Sequence, residues 1–168
     1  MNNKGFSLIE MLLYLGIFVI LFALIISFVT WVYKINIRST IKRELSSDIR
    51  NVMDIIGREI RQAESIYSPL TSLSQLSLKT NYYLPVDEPF SYIDFFVCGD
   101  QICFKKENQD PVSLISEKTT LKELSFKITD FNAVTIYLSL ERKDPFGLFS
   151  PQPLSQATST FSLRSYVK

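Results

Sequence analysis

Between Met11 and Tyr33 the chain carries no charged residue, and Leu, Ile, Phe and Val dominate the run. As a helix, these 23 residues would extend about 35 Å, enough to cross a hydrocarbon core of roughly 30 Å. The run contains no proline, and Trp31 and Tyr33 stand at its far end, where amphipathic rings favour a membrane interface. From Lys34 to Glu64 the pattern stays helical but becomes one-sided. Ile37, Ile41, Leu45, Ile49, Val52, Met53, Ile56 and Ile60 recur at three- and four-residue steps, while Lys42, Glu44, Asp48, Arg50, Asp54 and Arg58 take the other face. With no proline in residues 6–64, span and stripe can form one continuous helix of roughly 85–90 Å. Gly57 costs it around 1 kcal/mol relative to alanine and marks a candidate bend.

A short stripe of this kind needs a partner, and the following sequence supplies β structure. Ser91–Val97, Ile102–Lys106, Leu124–Thr129, Val134–Leu140 and Thr158–Val167 hold strand formers, most of them alternating with period two. In Val134–Leu140 the residues Val134, Ile136, Leu138 and Leu140 share one face, and Leu124, Phe126 and Ile128 give a matching strand before it. Asp130–Ala133 has the length of a hairpin connection. Phe161, Leu163 and Ser165 alternate with Ser162, Arg164 and Tyr166. Residues 68–90 form an irregular connection with one strand at Gln75–Lys79, and the proline-rich Asp144–Pro153 is a loop. The fold class is therefore α+β: a long N-terminal helix whose second half packs on a C-terminal antiparallel β-sheet. The expected organisation is a leader at 1–5, a membrane span at 6–33, its amphipathic continuation at 34–64 and a β body at 65–168. A coiled-coil dimer is the rival partner for the stripe.

Charge narrows the function. The 18 basic and 17 acidic residues nearly cancel. Residues 34–64 hold seven basic and five acidic side chains, and residues 65–168 hold ten and eleven. Nucleic-acid binding is not indicated by this balance. No enzyme emerges either: the chain has no histidine, which excludes a Ser-His or Cys-His relay, and it has no glycine-rich phosphate loop. Asp94, Glu123 and Glu141 read as solvated carboxylates rather than an acid–base pair. No cofactor is called for. Cys98 and Cys103 flank a turn at Gly99 and Asp100, where they can face each other across a hairpin as a disulfide or remain free thiols. A metal site would need further ligands.

The remaining chemistry lies at the N-terminus, where Lys4–Glu10 read KGFSLIE immediately before the apolar run. An ordinary secretory signal is cut behind its apolar core; here the cut site lies in front, so processing would leave the anchor in place. An uncleaved signal anchor is the alternative. KGFSLIE resembles the signal of type IV pilins and pseudopilins. That resemblance implies cleavage between Gly5 and Phe6 by a prepilin peptidase and N-methylation of Phe6, the first residue of the mature chain. It further implies a pair between Glu10 and the Phe6 amine of a neighbouring subunit. Phe6 and Glu10 are one helical turn apart. Without such a partner Glu10 reads as an interfacial carboxylate tolerated near a helix start.

The resemblance also implies the partners: the peptidase, other pilin or pseudopilin subunits, an inner-membrane assembly platform and the lipid bilayer. It implies insertion with the N-terminus inside and the body outside the cytoplasmic membrane, followed by entry into an extracytoplasmic filament. Lys34, Arg38, Lys42 and Arg43 outnumber Lys4 and the initiator amine, so the positive-inside rule alone favours the opposite orientation. GREIRQAESI (57–66), FFVCGDQICF (95–104) and STFSLRSY (159–166) are similar to minor pilins of the W type and pseudopilins of the J type. The family's major pilins carry a proline midway along the span; here Ser27 occupies that neighbourhood. The implied role is a minor structural subunit of a type IV pilus or type II secretion pseudopilus. The alternative is a ligand- or DNA-binding competence pilin on the same anchor, for which Tyr82, Tyr83, Phe146 and Phe149 are candidate contacts.

Overall fold

A computed structural model describes residues 7–82, 84, 88–130, 132–144 and 151–164. One α-helix, α1, runs over Leu8–Gln62, ending at Gln62 rather than the expected Glu64. The chain divides into two compact units, Met1–Thr40 and Ile41–Lys168.

In the first unit, large apolar side chains are exposed from Leu8 (79%) through Phe28 to Ile35. The second unit begins where burial begins. Ile41, Leu45, Ile49, Val52, Met53, Ile56 and Ile60 of α1 are buried, the stripe that the spacing predicts except for its first position, Ile37, which is half-buried and lies in the first unit. Glu59 departs from the pattern: it is an acid among the buried residues of the helix.

The remainder of this unit is antiparallel β structure. Strands β1 (Ser65–Ile66), β2 (Gln75–Thr80), β3 (Ser91–Cys98), β4 (Gln101–Lys106) and β5 (Val112–Ser113) form a five-stranded sheet in sequence order. Strands β6 (Thr119–Asp130), β7 (Ala133–Arg142) and β8 (Leu154–Ser162) form a second, three-stranded sheet. The α+β class holds, but the single expected sheet is two. Alternation reveals which face a strand buries and not which strand lies beside it. Here β5 takes the free edge of β4 through Cys103↔Ser113 and Phe104↔Val112, so β6 starts a new sheet.

Two strand starts also shift for physical reasons. Strand β6 starts at Thr119, ahead of the expected Leu124, because a register shift between Leu121 and Glu123 breaks its alternation. Strand β8 starts at Leu154 instead of Thr158 and ends at Ser162. Its half-buried positions Ser155, Ala157 and Ser159 are small and leave no apolar signature. The last expected positions of that strand, 165–167, lie outside the described residues, as does 145–150 of the expected loop.

The core lies among the buried face of α1, Leu76, Leu78, Ile93, Phe95 and Ile102 of the first sheet, and Leu124, Phe126, Val134, Ile136, Leu138 and Leu140 of the second. Ile128, expected on that inner face, is exposed. Among the described residues no buried side-chain polar atom lacks a partner. Thus the buried Thr119 hydroxyl donates to Asp48 (2.8 Å) and the buried Ser91 hydroxyl to the Tyr82 carbonyl (2.6 Å).

Gly57 makes no break, since α1 passes straight through it. A Cβ there would sit 2.5 Å from Cε1 and 2.8 Å from Cδ1 and Cζ of Phe161. The glycine therefore admits the Phe161 ring against the helix backbone, and Arg61 lies 5.4 Å from the centre of the same ring.

Two outcomes test this packing in thermal or denaturant melts of the detergent-solubilised chain. Ile49→Asp and Ile56→Asp should each cost more than about 3 kcal/mol, combining lost packing with a buried unpaired charge; wild-type melting of both would place the stripe elsewhere. Gly57→Ala should destabilise the wild-type chain, yet in a Phe161→Ala background should stabilise it by roughly 1 kcal/mol through helix propensity. The same sign in both backgrounds would contradict the close approach.

Candidate assembly helix and its attachment to the body

Ser7 precedes the first helical residue, and its carbonyl accepts from the amides of Glu10 (3.0 Å) and Met11 (3.2 Å). Ser7 and Glu10 also have the Ser-x-x-Glu spacing of a capping box, a local signal for the helix start. Glu10 is exposed and lies in the first turn, where the helix dipole favours a carboxylate. Gly5 and Phe6, the implied cleavage and methylation site and one half of the implied charge pair, lie outside the described residues.

Behind Glu10 the helix is long and apolar enough to cross a membrane. Its polar side chains make few demands on a surrounding solvent. The Ser27 hydroxyl donates to the Ala23 carbonyl (2.9 Å) and the Thr30 hydroxyl to the Ser27 carbonyl (2.9 Å). Internal satisfaction of this kind is what a lipid environment requires. The helix is continuous through Ser27, the position at which the major pilins' proline is missing. Phe18 stacks on Phe22 with ring centres 6.0 Å apart, and Phe28 meets Trp31 at 6.2 Å, so aromatic side chains pack along the helix itself. A Cβ at Gly16 would meet nothing within 4 Å. Its small size thus serves no contact among the described residues.

Where burial begins, three polar side chains of α1, Glu44, Ser46 and Asp48, attach it to the β body. Arg142 of β7 donates to Glu44 (2.6 Å), the Ser46 and Ser155 hydroxyls lie 3.4 Å apart, and Asp48 accepts from Ser116 (3.2 Å) and Thr119 (2.8 Å). Glu44 and Asp48 occupy the face assigned to charge, yet both are used. Their i, i+4 spacing shows that they share a face; the partners, 68 to 98 residues away, leave no local trace. The half-exposed Glu44–Arg142 ion pair contributes about 1 kcal/mol or less, so it defines the helix register more than it stabilises it.

Cys98 and Cys103 are joined in a disulfide, with Cα atoms 5.8 Å apart. They do not face each other across the hairpin: Cys98 is opposite Gln101 and Cys103 opposite Phe96, so the bond runs diagonally. Gly99 takes φ +62° in the two-residue turn, a conformation that suits glycine. The three carboxylates considered for acid–base chemistry are divided, Asp94 in the first sheet and Glu123 and Glu141 in the second, where Glu141 pairs with Lys122 (3.5 Å). Among the described residues no group of three or more His, Cys, Asp or Glu could hold a metal ion. Tyr82 is exposed, while Tyr83, Phe146 and Phe149 lie outside the described residues.

Residues 1–26 match the family model of the prokaryotic N-terminal methylation motif. Neither a curated protein nor a solved structure matches the chain. The matched stretch covers the leader, Glu10 and the first part of the apolar helix. This motif and the apolar helix behind it fit a type IV pilin or pseudopilin, a protein class that implies peptidase processing and other pilin subunits.

Replacing both cysteines with alanine should lower the stability of the oxidised chain by about 2 kcal/mol, the loop-closure term for so short a loop. Melting with and without reductant checks this. An unchanged stability would leave the disulfide without a role in holding the hairpin.

Proposed function

We propose that the chain is a minor, non-enzymatic subunit of a type IV pilus or type II secretion pseudopilus, of the W-type minor pilin or J-type pseudopilin kind. The observation that carries this is the match of residues 1–26 to the methylation motif, which runs into a helix whose large apolar side chains from Leu8 to Ile35 are exposed among the described residues.

In this account a prepilin peptidase removes residues 1–5. Gly5 leaves the backbone open to close approach, and hydrolysis frees the amine of Phe6, which is then methylated and stays charged. The helix holds the chain in the cytoplasmic membrane with its N-terminus inside and its body outside. An assembly platform then moves it from lipid into a filament. Apolar side chains gain little by exchanging lipid for protein, so packing and polar contacts must supply specificity. Glu10, one turn from the new amine, is the polar contact: in the helix dipole's favour within its own chain, and paired with a neighbour's Phe6 amine in the filament.

Two results test this function. Mass spectrometry of membrane-derived protein should show loss of Met1–Gly5 and one added methyl group; an intact leader in cells with an active prepilin peptidase would reject the assignment. Glu10→Leu should leave insertion and cleavage intact and sharply reduce recovery in sheared filaments. Wild-type recovery would leave Glu10 as a tolerated carboxylate.

A further inference from the structure

The outer face of the first sheet carries a cleft of about 400 Å³ that the assembly function does not use, lined by Tyr67, Leu70, Tyr92, Asp94, Lys105, Glu107 and Asn108. Its size falls within the range of roughly 300–1,000 Å³ common to small-ligand sites.

The cleft is built rather than incidental. Residues 67–72 continue from β1 along the edge of β2 and turn back on it. The Tyr67 amide donates to the Ser77 carbonyl (2.8 Å), and the Thr71 hydroxyl donates to the Tyr67 carbonyl (2.9 Å) while accepting from the Ser77 amide (3.1 Å). This turn sets the Tyr67 ring 5.0 Å from that of Tyr92, tilted by 58°, and forms an aromatic wall. On the floor, the fully buried Ser77 hydroxyl donates to Asp94 Oδ1 and so orients the carboxylate. Glu107 is held in the same way: its Oε2 accepts from the Tyr92 amide (2.9 Å), and its own amide donates to the Tyr92 carbonyl (3.0 Å). Asn108 follows in a left-handed conformation, φ 61°, at the rim.

The chemistry of the lining selects among ligands. Lys105 stands opposite Asp94 in the β3–β4 register, yet no ion pair joins them. An anion would meet two carboxylates, and a cation would meet the lysine. What suits the set is a neutral molecule with many hydroxyls. Each hydroxyl both donates and accepts, so it can bridge Asp94 or Glu107 to Lys105 or Asn108. A ring with an apolar C–H face can lie against Tyr67 and Leu70. The geometry points to a saccharide-binding site that takes one sugar ring of a glycan.

The test uses the full chain in lauryldimethylamine oxide, a detergent without a sugar headgroup. It is titrated calorimetrically with D-glucose, D-galactose and N-acetyl-D-glucosamine, and with L-leucine as a zwitterion of similar size. At least one sugar should bind saturably and with little dependence on salt, as a neutral ligand does. Asp94→Asn, Lys105→Met and Tyr67→Ala should each weaken it roughly tenfold or more, the usual effect of losing a charge-assisted hydrogen bond or a ring face. Tyr137→Phe, on the other sheet, should not. Lys105 is exposed, so its replacement tests the site without threatening the fold. Absence of saturable sugar binding, binding of L-leucine in its place, or affinities unchanged in Asp94→Asn and Lys105→Met would overturn the assignment. None of these outcomes bears on leader processing or filament entry.

Discussion

One helix has to satisfy two environments, and the structure depends on where the change occurs. Up to Ile35, α1 carries its large apolar side chains outward; from Ile41 it buries them on one side. The hydrophobic effect rewards burial against protein in water, and lipid removes the same penalty for the exposed half. A single secondary structure can therefore serve both, because an α-helix meets its own backbone hydrogen bonds in either medium. The polar contacts of Glu44, Ser46 and Asp48 sit just past the change, at the first two turns of the buried stripe.

The body is organised to give the stripe a complementary surface. Two antiparallel sheets share the task, and small residues on β8 keep that strand's inner face low. The meeting of Gly57 and Phe161 is a close point of that fit: the helix gives up propensity to admit an aromatic ring. This helix residue would otherwise look like a defect. It is a packing site, and its cost is local.

Legibility in the sequence followed the range of the interaction. The stripe on α1 and the inner face of β7 were legible because hydrophobic periodicity is local, and all four of Val134, Ile136, Leu138 and Leu140 are fully buried. The division into two sheets was not, because it depends on Val112 and Ser113, two exposed residues without pattern. The first four residues of strand β8 were missed because its inner positions there, Ser155 and Ala157, carry no apolar signal. Gly57 was legible as unusual but not as a partner of Phe161, which lies far along the chain. The N-terminal signal was legible as a motif in seven residues, whereas the cleft beside Tyr67 and Tyr92 arises from a turn at the edge of a sheet and has no linear signature.

The central claim is that the uncovered surface of residues 8–33 is completed by other filament subunits. A photo-reactive amino acid placed at Phe18 or Leu21, both exposed on the apolar helix, tests it most directly in cells with an active assembly system. Irradiation should yield adducts with another pilin-like subunit in the sheared filament fraction. Adducts with lipid alone, in cells that are assembling filaments, would contradict the account and leave α1 as a simple membrane anchor.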